Sequence, residues 1–125
     1  MIQSYKDLKV YQFSYAFAMD VFRTTAKFPK QERHSLTDQL RRSSRSISAN
    51  IVEGWAKRRY ESVFRRQLVD AIGSREETKL WLQFAHDRNY IDRESFPNLT
   101  DACEEVGRML FGLCENWKTY QTRKK

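Results

Sequence analysis

Glycine and proline are scarce in this chain, with four and two respectively among 125 residues. A sheet of many short strands needs such turn residues at close intervals, so their scarcity argues for a few long helices instead. Cysteine is nearly absent too. If Cys103 and Cys114 share one helix, they stand about 16 Å apart at 1.5 Å per residue, far beyond the roughly 7 Å between Cα atoms that a disulfide tolerates. They read as reduced packing residues in a reducing compartment. No apolar run approaches the ~20 residues that span a bilayer, and no charged-then-apolar leader opens the chain. The expectation is a cytoplasmic protein with no membrane partner.

Several chemistries lack their residues. The two histidines are His34 and His86, with Gln31 and Gln83 three positions before them, so the Glu-x-x-His pairs of di-iron bundles are missing. There is no His-Glu-x-x-His, no Gly-rich phosphate loop and no Cys-x-x-Cys pair. His86 falls near a predicted helix C-terminus, where an imidazole has a structural role against the dipole. No catalytic residue, metal or cofactor is assigned, and the expectation is a protein that binds rather than catalyses.

Charge is abundant and uneven. The formal net charge is +7. Residues 1–66 carry 14 Lys/Arg against 6 Asp/Glu, whereas residues 67–125 carry 9 against 10. Such a balance points to anionic partners: nucleic acid, an acidic protein or an anionic surface.

Apolar periodicity predicts four helices in one domain spanning 1–125: about 4–27, 31–57, 61–89 and 93–120, with a basic tail at 121–125. In the first, Ser4 or Asp7 serves as cap, and Leu8, Tyr11, Tyr15, Ala18, Phe22 and Ala26 recur at helical steps. Phe28-Pro29 ends it, because a residue before proline disfavours the α region. The second is rich in small residues from Ser43 to Asn50, which lets a neighbouring helix approach closely. The third carries Gly73-Ser74 as a further close-contact spot or mild kink. The fourth starts after Asp92, a good N-cap, with Pro97 tolerated only in a first turn. Short links favour an all-α, antiparallel, up-down-up-down four-helix bundle.

A second apolar stripe on the first helix, Val10, Phe13, Phe17 and Val21, exceeds what one bundle contact needs. Together with Trp55 and Trp81 it is the expected interface for self-association. Glu53 and Glu77 sit beside close-contact positions, and Arg75 falls within the apolar arc of the third helix; an internal ion pair among them is expected. The leading candidate for binding is a basic cluster, Arg41, Arg42, Arg45, Lys57, Arg58, Arg59, Arg65 and Arg66. Arginine forks suit phosphate. Trp55 and Tyr60 nearby suit exposed bases, and equally a protein interface.

Several stretches also carry a resemblance. They are Leu8-Lys9-Val10-Tyr11-Gln12, Phe28-Pro29-Lys30-Gln31-Glu32, Leu36-Thr37-Asp38-Gln39-Leu40-Arg41-Arg42, Ser46-Ile47-Ser48-Ala49-Asn50-Ile51-Val52-Glu53-Gly54, Gly73-Ser74 with Glu77, and Val106-Gly107-Arg108-Met109-Leu110. Over about residues 5–117 the chain resembles the bacterial four-helix-bundle proteins of the 23S ribosomal RNA intervening sequences. That family includes relatives of the accessory variability determinant of diversity-generating retroelements. The resemblance implies a homopentameric ring with a basic surface. For the retroelement branch it implies RNA or DNA binding and a reverse transcriptase as partner. Arg75, where the family more often has a small or apolar residue, and the basic segment Trp55-Ala56-Lys57-Arg58-Arg59 depart from its pattern.

Overall fold

The computed structural model describes residues 2–117. The basic tail 121–125, and the last residues expected of the fourth helix through 120, lie outside the described residues. Four α-helices make up the described chain: α1 (Lys9–Thr25), α2 (Leu36–Ala56), α3 (Glu61–Asp87) and α4 (Ser95–Glu115), with no strand among the described residues. Each packs on two others: α1 on α2 and α4, and α3 on α2 and α4.

Two helix starts lie later than periodicity suggests, for local reasons. Ser4 and Asp7 do form a reciprocal capping box, but around a 3-10 turn at Tyr5–Asp7. Leu8 is extended (φ −73°, ψ 124°) and separates that turn from α1. The backbone N–H groups of Gln3 and Ser4 donate to the Asp7 carboxylate and hold its pKa below the ordinary value. Before α2, Lys30–Glu32 form another 3-10 turn. There Glu32 accepts the Ser35 hydroxyl at 2.6 Å and the Tyr90 hydroxyl at 2.8 Å, which ties the segment to the end of α3 instead of prolonging α2. At α4, the Asp92 carboxylate accepts the N–H groups of Ser95 (2.7 Å) and Glu94 (3.1 Å). Pro97 is the third residue of α4, where its missing N–H has no intrahelical acceptor to lose.

Small residues set the α2–α3 contact. Ser43 accepts from Thr78 at 2.9 Å, the Ser46 and Ser74 hydroxyls share a bond of 2.8 Å, and Asn50 accepts from Gln67 at 2.9 Å. At the far end, a Cβ placed on Gly54 would lie 2.9 Å from Gln67 Cβ and 3.3 Å from Phe64 Cδ1. Gly73 is not a close-contact position, because nothing lies within 4 Å of a Cβ built there; its neighbour Ser74 makes the contact.

The apolar faces of α1 are the reverse of the expected ones. Val10, Ser14, Phe17, Val21 and Thr25 are buried, and Phe17 is 1% exposed. Val10, Phe17 and Val21 therefore belong to the core of the protomer and cannot meet a second copy. Trp55 is likewise buried, edge-on to Trp117. Tyr15 and Phe22, expected inside, are half exposed. The stripe that went inside is the one whose polar members can be satisfied there: Ser14 shares a hydrogen bond with Ser48 at 3.0 Å, and Thr25 donates to the Val21 carbonyl at 2.8 Å. Tyrosine hydroxyls on the other stripe keep access to water.

The expected ion pair is also rearranged. Arg75 is buried, but Nη1 meets Glu76 at 3.1 Å and Glu104 at 3.6 Å, and Lys79 joins Glu104 at 2.6 Å. Glu53 is exposed beside Lys57, and Glu77 is exposed and accepts from Trp81 Nε1 at 3.0 Å. Two residues along a helix turn a side chain by about 200°, so Glu77 faces away from Arg75. Gly107 on α4 leaves the space that the Arg75 guanidinium fills. Cys103 donates to the Arg75 carbonyl at 3.7 Å, and burial pushes its thiol up to about 11; both cysteines are free.

Candidate nucleic-acid interface

The basic cluster divides into two places. Arg41 and Arg45 lie on the flank of α2 that faces α1. Arg41 is half-buried: Nε donates to Thr25 Oγ1 at 2.8 Å, and its guanidinium lies 4.2 Å from the Phe22 ring centroid. Arg45 is exposed and donates to the Arg41 carbonyl at 3.1 Å. Arg41 is thereby committed to the α1–α2 seam, while Arg45 stays on α2. Arg42 is exposed and has no ion pair among the described residues.

The second place is the corner where α2 ends and α3 begins. Lys57 reaches Glu53 at 3.5 Å and Gln67 at 3.2 Å. Arg65 reaches Glu61 at 3.4 Å and also donates to the Cys114 carbonyl on α4. Each carboxylate on the α2 and α3 sides of the corner is thus taken by a cation of its own helix. Arg58, Arg59 and Arg66 have no carboxylate partner among the described residues. Arg58 is held over Trp55: Nη1 donates to the Trp55 carbonyl at 2.9 Å, and Cζ lies 4.1 Å from the Trp55 ring centroid. Arg59 Cζ lies 5.9 Å from the ring of Tyr60, which is 62% exposed in the short link between the helices. Beneath the corner Trp117 packs on Phe64, with centroids 4.3 Å apart, and on Trp55. The described chain ends there, and its sequence continues with Lys118, Arg123, Lys124 and Lys125.

Sequence reasoning missed an apolar groove between α1 and α2, of about 650 Å³, lined by Tyr11, Tyr15, Met19, Phe22 and Val52 with Arg45 and Glu53 at its rim. The signal was present in the two tyrosines and Met19, which suit a wetted margin better than a dry core. Of the expected interface residues only Phe13 is exposed, at 49%; Trp81 is half-buried and forms a tilted pair with Phe84. No helix of the described residues is long and apolar enough to cross a membrane, and among them no group of three or more His, Cys, Asp or Glu is placed to hold a metal ion.

Comparison with known proteins gives a match over most of the chain. Residues 6–112 match the family model of the 23S rRNA-intervening sequence protein. No curated protein matches in sequence. Among solved structures the chain is similar to a protein of unknown function from the S23 ribosomal protein family of Bacteroides thetaiotaomicron. The two share 24% identity with a TM-score of 0.77, over 85% of this chain and 95% of that one. At that identity the likeness speaks for the fold.

Proposed function

The chain belongs to the 23S rRNA-intervening sequence protein family, and from that premise we propose that it is a non-enzymatic, cytoplasmic protein that binds nucleic acid at the α2–α3 corner. One observation carries this reading: Arg58, Arg59 and Arg66 have no carboxylate partner among the described residues, and Arg59 lies beside the solvent-facing Tyr60, while Lys57 and Arg65 are paired with Glu53 and Glu61. Uncompensated guanidinium groups favour phosphate, which their planar fork binds through two oxygens. Arg41, tied to α1, and Arg45, which donates to the Arg41 carbonyl, contribute less.

The reading is tested by a double variant, Arg59→Gln with Arg66→Gln. Affinity for mixed-sequence RNA at low salt should fall about tenfold, in line with the loss of charge-assisted hydrogen bonds, with helical circular dichroism unchanged. Arg41→Gln serves as control and should leave RNA affinity within about twofold, or ~0.4 kcal/mol, since its guanidinium is already engaged by Thr25 and Phe22. Equal losses in both variants would move the site to the side of α2.

The α1–α2 groove supports a second part of the proposal, self-association of an up-down-up-down bundle into a closed ring such as a pentamer. Aromatic and methionine side chains there remain half exposed on a protomer that already has a filled core. A retroelement role would add a reverse transcriptase to the partners, and a reverse-transcriptase gene beside this one would favour it. A pull-down that survives nuclease treatment would instead favour an acidic protein at the basic corner.

A further inference from the structure

We infer, resting on the reading above, that the α2–α3 corner selects unpaired nucleotides: the Tyr60 ring and the guanidinium of Arg58 form two stacking platforms, with Arg59 and Arg66 supplying phosphate contacts. Tyr60 holds its ring in water although the corner beneath it is aromatic and buried, so the ring is not needed by the core. Arg58 Cζ sits over the Trp55 ring, and its Nη1 is occupied by the Trp55 carbonyl. That geometry leaves the outer face of the guanidinium for a second planar group, and a base stacks on an arginine plane as readily as on a ring. Arg59 lies near the edge of the Tyr60 platform, within cation–π range of its ring. Val63, one turn into α3 from Tyr60, is partly exposed and extends the apolar surface.

A duplex hides its base faces and offers a protein its phosphate ridges and groove edges. A protruding tyrosine at a helix–helix corner gains nothing from a duplex backbone, whereas an unpaired base covers it. Arginines alone would bind both forms according to phosphate density, so the ring is the feature that discriminates.

The experiment measures fluorescence anisotropy of the full chain at low salt with a labelled poly-uridine oligonucleotide and with an RNA duplex of the same length. Variants are Tyr60→Ala and Tyr60→Phe, with circular dichroism recorded for each. The single strand should bind more tightly than the duplex. Tyr60→Ala should weaken single-strand binding about tenfold and duplex binding little, and Tyr60→Phe should keep single-strand affinity, because stacking needs the ring and not the hydroxyl. Equal affinity for both forms, or a Tyr60→Ala loss shared by both, would overturn the stacking inference and leave the phosphate reading intact. No measurable binding of either form at low salt would overturn both.

Discussion

Replacing Phe17 by aspartate is expected to unfold the chain. Phe17 is 1% exposed in the middle of α1. Truncating a buried phenylalanine costs about 3–5 kcal/mol, and an unpaired carboxylate in the cavity adds a desolvation penalty of several kcal/mol more. A domain of this size is stable by about 5–15 kcal/mol in total. Helical circular dichroism at 25 °C should therefore be largely lost. Tyr15→Asp, two residues away and on the opposite, groove side of α1, should leave the helical signal intact and change only the mass found by light scattering, towards the monomer. If Phe17→Asp stayed folded and lost only its oligomeric mass, Phe17 would be an interface residue and the assignment of the α1 faces would be wrong.

Gly54→Val should lower the melting temperature by several degrees. The contact of α2 with α3 at this point is closer than any side chain allows, since a Cβ would lie 2.9 Å from the Cβ of Gln67, an atom fixed to the α3 backbone. Relief requires the helices to separate or Phe64 to leave its place, and overpacking of this kind costs about 1–3 kcal/mol. The gain from removing a glycine from a helix interior, about 0.5 kcal/mol or less for valine, does not offset it. Gly73→Ala is the counterpart. Nothing lies within 4 Å of the added carbon, so it should raise stability by about 0.5–1 kcal/mol. Differential scanning calorimetry of the two variants separates the contributions. Equal melting temperatures would mean that the approach at Gly54 is looser than described.

The sequence conveyed what is periodic and little of what is decided between helices. Four helices follow from repeats of three and four, and within the run from Ser43 to Asn50 the short side chains of Ser43, Ser46 and Asn50 mark the α3 contact. The choice between the two stripes of α1 was only weakly marked, by the hydroxyls of Tyr11 and Tyr15, because both stripes repeat at helical steps and both carry a phenylalanine. It was decided by Ser48 on α2, which gives Ser14 a partner inside. One of the two partners of Arg75 was hidden for a similar reason: Glu104 lies on α4, and no pattern within α3 announces it. At the candidate site, the density of arginine between residues 41 and 66 was legible. Which arginines are already occupied was not, because Thr25, Trp55 and Glu61 reach them only in the folded chain.

The central claim is that phosphate contacts at the α2–α3 corner bind nucleic acid, and the salt dependence of single-stranded RNA binding tests it most directly. Each neutralised phosphate of a single strand contributes about −0.7 to the slope of log K against log salt, so Arg59 and Arg66 alone predict a slope of about −1.4, and about −2 if Arg58 also neutralises a phosphate. A flat line between about 50 and 200 mM salt, or no binding at the low end, would contradict it.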